Sequence, residues 1–533
     1  MFLLEVSLAA RYALYIWILW RVSIFTYRLT FHPLRKYPGP FLARLTNAYS
    51  WFFAIQKQLH INVYKNLQKY GPIYREAPNR LVFNTITAIK DIYSHPHIIK
   101  GESFRHSPWL QSSSLFYEAE KDKFQWKRKL FAQVLSSRSL RGFYPTMDAQ
   151  INIYLRLLLR SSQKSEVVDM TVRCKQLATD IVGYLAFGYA LNTQTEPTNR
   201  FIIRGMSKAI FTGFIAIVWP VFRAFFPISR WLRELGPHTA RNAMMKMIRS
   251  RMEQPKDARP DFYSHAAGQF DADKENPLRS ELWTEAYFFA QAGGTTVATA
   301  MSSVFFYLSR NADAYARLTA EIREAFSSGR DICNGPDLLG CKYLRAVLDE
   351  SMRIAGPSMI TLWRQPEESS TEPFIVDGHV IPPGIEVGIN MYGISHNADY
   401  FPNPYAFKPE RRLGPNDGGA PNSPEQDEIR AKMRAAQVYF GLGDRGCIGK
   451  DMAYMETSLV IARTLWYFDF VVAPGEAGKL GAGKEGSRDP WAKPDQFQLL
   501  DILIAEHDGP NLVFKARGEH WRELEMEEKR YQD

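Results

Sequence analysis

Apolar and polar positions divide this chain into stretches of distinct texture. Residues 6–27 are mainly Leu, Ile, Ala, Val and aromatics, interrupted by Arg11 and Arg21. A spanning helix needs about 20 such residues, and an arginine near one end can snorkel to the surface. The pattern predicts a membrane anchor over residues 1–31, with its span running from Tyr12 to Phe31; a buried amphipathic helix is the alternative. No small-residue cleavage site comes after it, so the run does not read as a removable signal. Arg28, Arg35 and Lys36 come next, and the positive-inside rule puts the rest of the chain in the cytosol. Residues 32–40 hold three prolines and a glycine, which predicts an extended hinge. Residues 74–83 read as a short strand pair turning at Pro78 and Asn79.

From 112 to 350 the apolar spacing is mostly three and four, the helical period. The clearest helix covers 280–310. Residues 360–395 alternate and are rich in Pro and Gly, with Val376, Asp377, Gly378 and His379 as a hairpin signal. A last helix begins after Cys447, residues 475–495 read as a surface loop, and the charged tail from Glu519 as a solvated helix or disordered. The aromatic run 210–226 resembles a second span, but Pro220, Arg223 and Pro227 break it. It fits a membrane-facing surface or channel wall, and equally a plain core. No internal repeat is visible.

Composition narrows the class. The 533 residues are 46% hydrophobic and 14% aromatic, enough to bury a large core. The net charge of +10 is a mild bias over this length. It suits an anionic membrane surface or an acidic protein partner and shows no concentrated nucleic-acid arm. Four cysteines without a CxxC pair exclude a disulfide scaffold and a structural zinc site. Cys174, Cys333 and Cys341 read as ordinary core or surface residues.

The decisive chemistry lies in Phe440-Gly441-Leu442-Gly443-Asp444-Arg445-Gly446-Cys447-Ile448-Gly449. One cysteine sits in a glycine-rich loop just before a helix, where close backbone approach is possible and a thiolate is stabilised. Such a sulfur suits an axial ligand for iron, with Arg445 reaching an anionic group beside it. The segment resembles the haem loop of the cytochrome P450 family, Phe-x-x-Gly-x-Arg-x-Cys-x-Gly, at all five fixed positions: Phe440, Gly443, Arg445, Cys447 and Gly449. Chance supplies such a match on the order of once in ten thousand chains. The same glycines also spell GxGxxG, with Asp469 downstream, but a dinucleotide site requires a βαβ unit that the mostly helical body does not offer. A near P-loop at 478–484 has Glu485 where Ser or Thr is required.

The resemblance extends over nearly the whole chain, most closely to microsomal members from filamentous fungi. It implies a mainly α fold with a smaller β region, a long central helix over the haem, and a catalytic domain spanning 41–515, leaving 516–533 as a tail. Glu350 and Arg353 would share a buried network with Arg411, a structural role. In Ala292-Gly293-Gly294-Thr295-Thr296 the glycines cost roughly 1 kcal/mol each in a helix interior, so they read as opening a groove for dioxygen; close helix packing is the alternative. Thr296 would be the oxygen-side hydroxyl. Thr295 stands where the family has an acid, leaving proton delivery to water or the two threonines. Arg128 and Arg364 match propionate-binding arginines, and Phe124 takes the place of the usual Trp, with Trp126 close by.

By resemblance, the chain is expected to be a monooxygenase with haem as cofactor and Cys447 on its iron. It acts on a lipophilic small molecule, in secondary metabolism at the endoplasmic reticulum membrane. NADPH-cytochrome P450 reductase would dock near Lys127, Lys129 and Lys450. A reductase-independent rearrangement or dehydration, and a non-catalytic haem-binding membrane protein, are the alternatives. Loops at roughly 101–118, 205–232 and 357–363 would set specificity.

Overall fold

The computed structural model describes residues 2–104, 113–221, 239–259, 261–270, 280–367, 370 and 372–525. The expected features at 105–112, 222–232 and 526–533, including Arg223 and Pro227, lie outside the described residues.

The helix predicted at 280–310 forms as Glu281–Arg310. Its interior is rich in Ala, Gly, Ser and Thr, which allow close approach by neighbouring helices. The hydroxyls of Thr295, Thr299 and Ser303 bond back to carbonyls one turn earlier, so these polar side chains are satisfied while buried. Thr299 and Ser303 also donate to Ala505 and Ala355, tying the helix to the chain on either side. Helix Met170–Phe187 packs along it, and helices Lys342–Ile354 and Lys450–Tyr467 pack behind.

The predicted strand pair forms as Ile73–Ala77 and Arg80–Phe83. These begin a five-stranded sheet continued by Glu386–Ile389, Arg364–Pro366 and Ile98–Lys100. The hairpin forms as Phe374–Val376 with His379–Ile381, and Asp377 and Gly378 adopt the positive φ a tight turn needs. Strand Phe468–Val472 runs antiparallel to Asn511–Ala516. Asp469 therefore belongs to no βαβ unit, and the dinucleotide reading fails there.

Two expectations are corrected. The hinge is extended only in its second half, around residues 37–40: Pro33–Lys36 makes a short helical turn, with Leu34 buried and the Arg75 N–H bonded to the Pro38 carbonyl. Proline is tolerated at its start because that N–H needs no partner. The tail from Glu519 is not wholly solvated, since Leu524 is buried in the main core and Glu523 accepts bonds from Ser328 and Tyr467. Among the described residues, the helix apolar enough to cross a membrane is Phe201–Val218, half of it buried inside the protein. The N-terminal helix Phe2–Thr30 exposes Tyr12, Leu14, Ile16, Trp17 and Leu19. Helix Phe201–Val218 ends before Pro220, and Ile210, Phe214 and Ile217 enter a core cluster.

One buried group works against stability. Glu456 is buried in helix Lys450–Tyr467, its Oε1 without a hydrogen-bond partner, and burial pushes its pKa up to about 8. Raised above the ordinary value of 4.5, it costs stability progressively as pH climbs from about 4.5 through 8. Glu456→Gln is expected to stabilise the protein by up to about 3 kcal/mol at pH 7 and to flatten this slope. Thermal unfolding between pH 5 and about 9 checks both.

Candidate functional site

A cavity of about 370 Å³ lies between helix Glu281–Arg310, helix Lys121–Val134, the five-stranded sheet and the Cys447 loop. Its lining is mostly apolar, the usual character of a small-molecule site.

The loop's shape is set by its glycines. Gly441 and Gly443 have φ of 67° and 62°, and a Cβ on Gly443 would sit 2.0 Å from the Tyr93 carbonyl oxygen. The Cys447 N–H donates to the Phe440 carbonyl at 2.6 Å, closing the loop. Cys447 has accessible surface, but that surface opens into the cavity within surrounding protein. Burial raises its thiol pKa, opposed by the Gly449 N–H and by Arg128 and Lys450. Gly449 sits at the start of helix Lys450–Tyr467, whose partial positive charge favours an anionic sulfur.

Arg128, Arg364 and Arg445 all line the cavity, as the sequence predicts, and the structure adds Lys100. Lys100 and Arg364 stand directly opposite one another in the sheet register, an unfavourable pairing of like charges. Among the described residues no carboxylate lines the cavity, and none of the four makes an ion pair. Their donors go to carbonyls instead: Lys100 to Phe116, Arg128 to Gly446, Arg364 to Trp363, and Arg445 to Glu118 and Ala119. Burial, then neighbouring Arg364, brings the Arg445 pKa down to about 9. Burial also lowers Lys100, with Arg445 and Arg364 adding to it. Four cations on the wall of one cavity, with Glu118 and Asp444 nearby but no carboxylate among the described lining residues, fit a group carrying at least two negative charges. A porphyrin with two carboxylates would meet that description, and Cys447 is the residue on the cavity wall that could hold its iron.

The Arg445 guanidinium lies 3.6 Å from the Phe124 ring centroid, so this phenyl supports it where the family has an indole. Trp126 does not compensate; it is 39% exposed and packs on Phe270. Of the two threonines, Thr296 lines the cavity while Thr295 does not. The Thr296 hydroxyl donates to the Ala292 carbonyl and Thr295 to Gln291. The glycines serve packing as well as space: a Cβ on Gly293 would lie 2.8 Å from Val182 Cγ2, and one on Gly294 3.2 Å from Val182 Cγ1. Gly293 also lines the cavity.

Behind the loop, Glu350 is fully buried. It accepts from Arg353 at 2.8 and 3.0 Å and from Arg411 at 2.9 Å, with Arg412 at 3.6 Å as a third cation missed in the sequence. Burial alone would raise its pKa, but Arg353, then Arg411 and Arg412, outweigh this and bring it down to about 2.

The expected basic docking face needs one correction. Lys127 is fully buried, paired with Glu281 at 2.7 Å and Glu285 at 2.8 Å. Helix periodicity turns it inward, opposite exposed Lys129. The sequence could not reveal this, because the two carboxylates closest to it, Glu281 and Glu285, lie more than 150 residues away, with Glu118 further off at 3.9 Å. Lys129 and Lys450 remain exposed.

The profile of the cytochrome P450 family matches residues 38–486. The chain is 31% identical to cytochrome P450 monooxygenase AKT7 of Alternaria alternata, over 92% of this chain and 95% of the relative. It is 29% identical to monooxygenase poxM of Penicillium oxalicum, over 95% and 94%. With apf7 of Gibberella fujikuroi the identity is 30%, over 95% and 98%. The chain belongs to the cytochrome P450 family. Its chemistry is that of a monooxygenase, an oxidoreductase that incorporates oxygen.

Proposed function

We propose that this protein is a haem-thiolate monooxygenase that inserts one oxygen atom from dioxygen into a lipophilic small molecule. The observation that supports it best is the Cys447 sulfur opening into an apolar cavity whose four cations have no carboxylate among them. Haem bound there supplies the activation of dioxygen and the transfer of one oxygen atom. Cys447 would hold its iron through the sulfur, and the loop's backbone N–H groups and the helix start favour the anionic sulfur. Arg128, Arg364, Arg445 and Lys100 would hold its propionates. Phe440, Gly443 and Gly449 shape the loop, and the catalytic domain spans 41–515. The Glu350–Arg353–Arg411 network keeps the region behind the loop rigid. Thr296 holds a proton at its Oγ on the cavity wall, and the apolar lining keeps bulk water out.

Lys129 and Lys450 face solvent and suit an acidic flavoprotein, NADPH-cytochrome P450 reductase, as electron donor. The N-terminal helix is read as an anchor in the endoplasmic reticulum membrane, because its apolar side chains from Tyr12 to Trp20 are exposed rather than packed against the body. The names of the fungal relatives support a place in secondary metabolism.

The test is a carbon monoxide difference spectrum of the reduced, purified protein. A strongly red-shifted Soret band is the expected result; its absence in folded, haem-loaded protein overturns the reading. Turnover without NADPH would favour the rearrangement class, and full function in Cys447→Ala a haem-binding scaffold. Thr296→Val is expected to lower product formed per NADPH roughly tenfold or more, with a much smaller effect for Thr295→Val, checked by product and peroxide yields.

A further inference from the structure

The substrate end of the cavity carries two polar groups that nothing among the described residues satisfies. Tyr287 and Gln291 lie four residues apart on helix Glu281–Arg310, hence on one face about 6 Å apart. Both line the cavity. Neither side chain has a hydrogen bond or ion pair among the described residues, whereas polar neighbours on the same helix are satisfied: Thr295 and Thr296 bond to Gln291 and Ala292 carbonyls. Burial pushes the Tyr287 phenol up to about 12, so it stays protonated and able to donate. Unpaired polar groups facing an apolar cavity cost free energy unless a ligand or water meets them.

Their surroundings say more about the ligand. Phe288 stacks with Phe116 at 6.0 Å, and Phe116 meets Phe104 edge-on at 5.6 Å, so an aromatic wall adjoins the polar pair. The four cations sit on the sheet, on helix Lys121–Val134 and on the Cys447 loop; Tyr287 and Gln291 are neutral, each able both to donate and to accept. Thr296 lies one and a half turns further along, about 7.5 Å in rise from Gln291.

We propose that Tyr287 and Gln291 are the specificity-determining pair, and that the substrate is a neutral, ring-bearing apolar molecule with a carbonyl or hydroxyl group held by them. This inference rests on the monooxygenase reading and names the substrate class of the same site. The carbon presented beside Thr296 then lies at least about 7 Å from that polar group. The pair orients the substrate; it takes no part in oxygen transfer.

Matched ketones and hydrocarbons test this: fluorenone with fluorene, flavanone with flavan, and tetralone with tetralin. Each is titrated into the haem-loaded full chain, following the Soret shift. Ketones are expected to bind about tenfold tighter than their hydrocarbons, the worth of one buried hydrogen bond. Gln291→Leu is expected to erase that preference by weakening ketone binding while leaving hydrocarbon binding unchanged or tighter. Tyr287→Phe, a near-isosteric change, should act in the same direction if Gln291→Leu does not fold. Equal binding of ketone and hydrocarbon by the wild type, no binding of any probe, or equal weakening of both members of a pair overturns the proposal. A red-shifted carbon monoxide band in the same preparations shows that such a failure belongs to this inference and not to the haem-thiolate reading.

Discussion

Glu350→Ala is expected to leave almost no folded, haem-containing protein. The substitution strands Arg353, Arg411 and Arg412 around an empty buried position. Removing one partner of a buried ion pair typically costs about 3–5 kcal/mol, and a domain's whole margin is about 5–15. Arg353 also donates to the Ser395 and Pro404 carbonyls, so its displacement disturbs two further segments. The isosteric Glu350→Gln separates charge from shape. In the folded protein the carboxyl pKa of about 2 lies below the ordinary 4.5. Its stabilisation is therefore complete above about pH 4.5 and lost as pH falls toward 2, on the order of 3 kcal/mol. The wild type should show this acid limb in unfolding curves and Glu350→Gln should not. Equal acid sensitivity of the two would place the linkage elsewhere.

Cys447→Ser carries the second large effect. Serine keeps the loop's size and backbone bonds, including the Cys447 N–H to the Phe440 carbonyl. It removes the soft, electron-rich ligand atom facing the cavity. The red-shifted carbon monoxide band should vanish, and turnover should fall at least about 1000-fold, some 4 kcal/mol of barrier. Far-ultraviolet circular dichroism should remain that of the wild type, because the helices do not depend on the sulfur. Retained turnover would point to a non-thiolate mechanism.

Part of this was legible locally. The Cys447 loop is contiguous, and its glycines have local reasons to be there, so all five of its marked positions could be read from the chain. The same holds for helix Glu281–Arg310, whose period and length are intrinsic, and for the hairpin turn at Asp377 and Gly378. Glu350 and Arg353 are one helical turn apart and could be paired on sight. The hinge misled because proline excludes an ordinary helix yet permits the short turn at Pro33–Lys36.

Other features were decided by tertiary structure, because each depends on a partner distant in the chain. Lys127 reads as a surface lysine until Glu281 and Glu285 are packed against it. Lys100 has no motif at all; strand register alone sets it opposite Arg364 in the cavity. Thr295 and Thr296 are adjacent and chemically identical; the family resemblance singled out Thr296, and the placement of the helix against Val182 and the cavity gives the physical reason, since Thr296 lines the cavity and Thr295 does not. The sequence by itself determined the ligand loop, the long helix and the class of chemistry, since these come from residue spacing and local backbone demands. Only the tertiary structure decided which charges are buried and which polar groups await a substrate, because burial and pairing are properties of what the fold brings together.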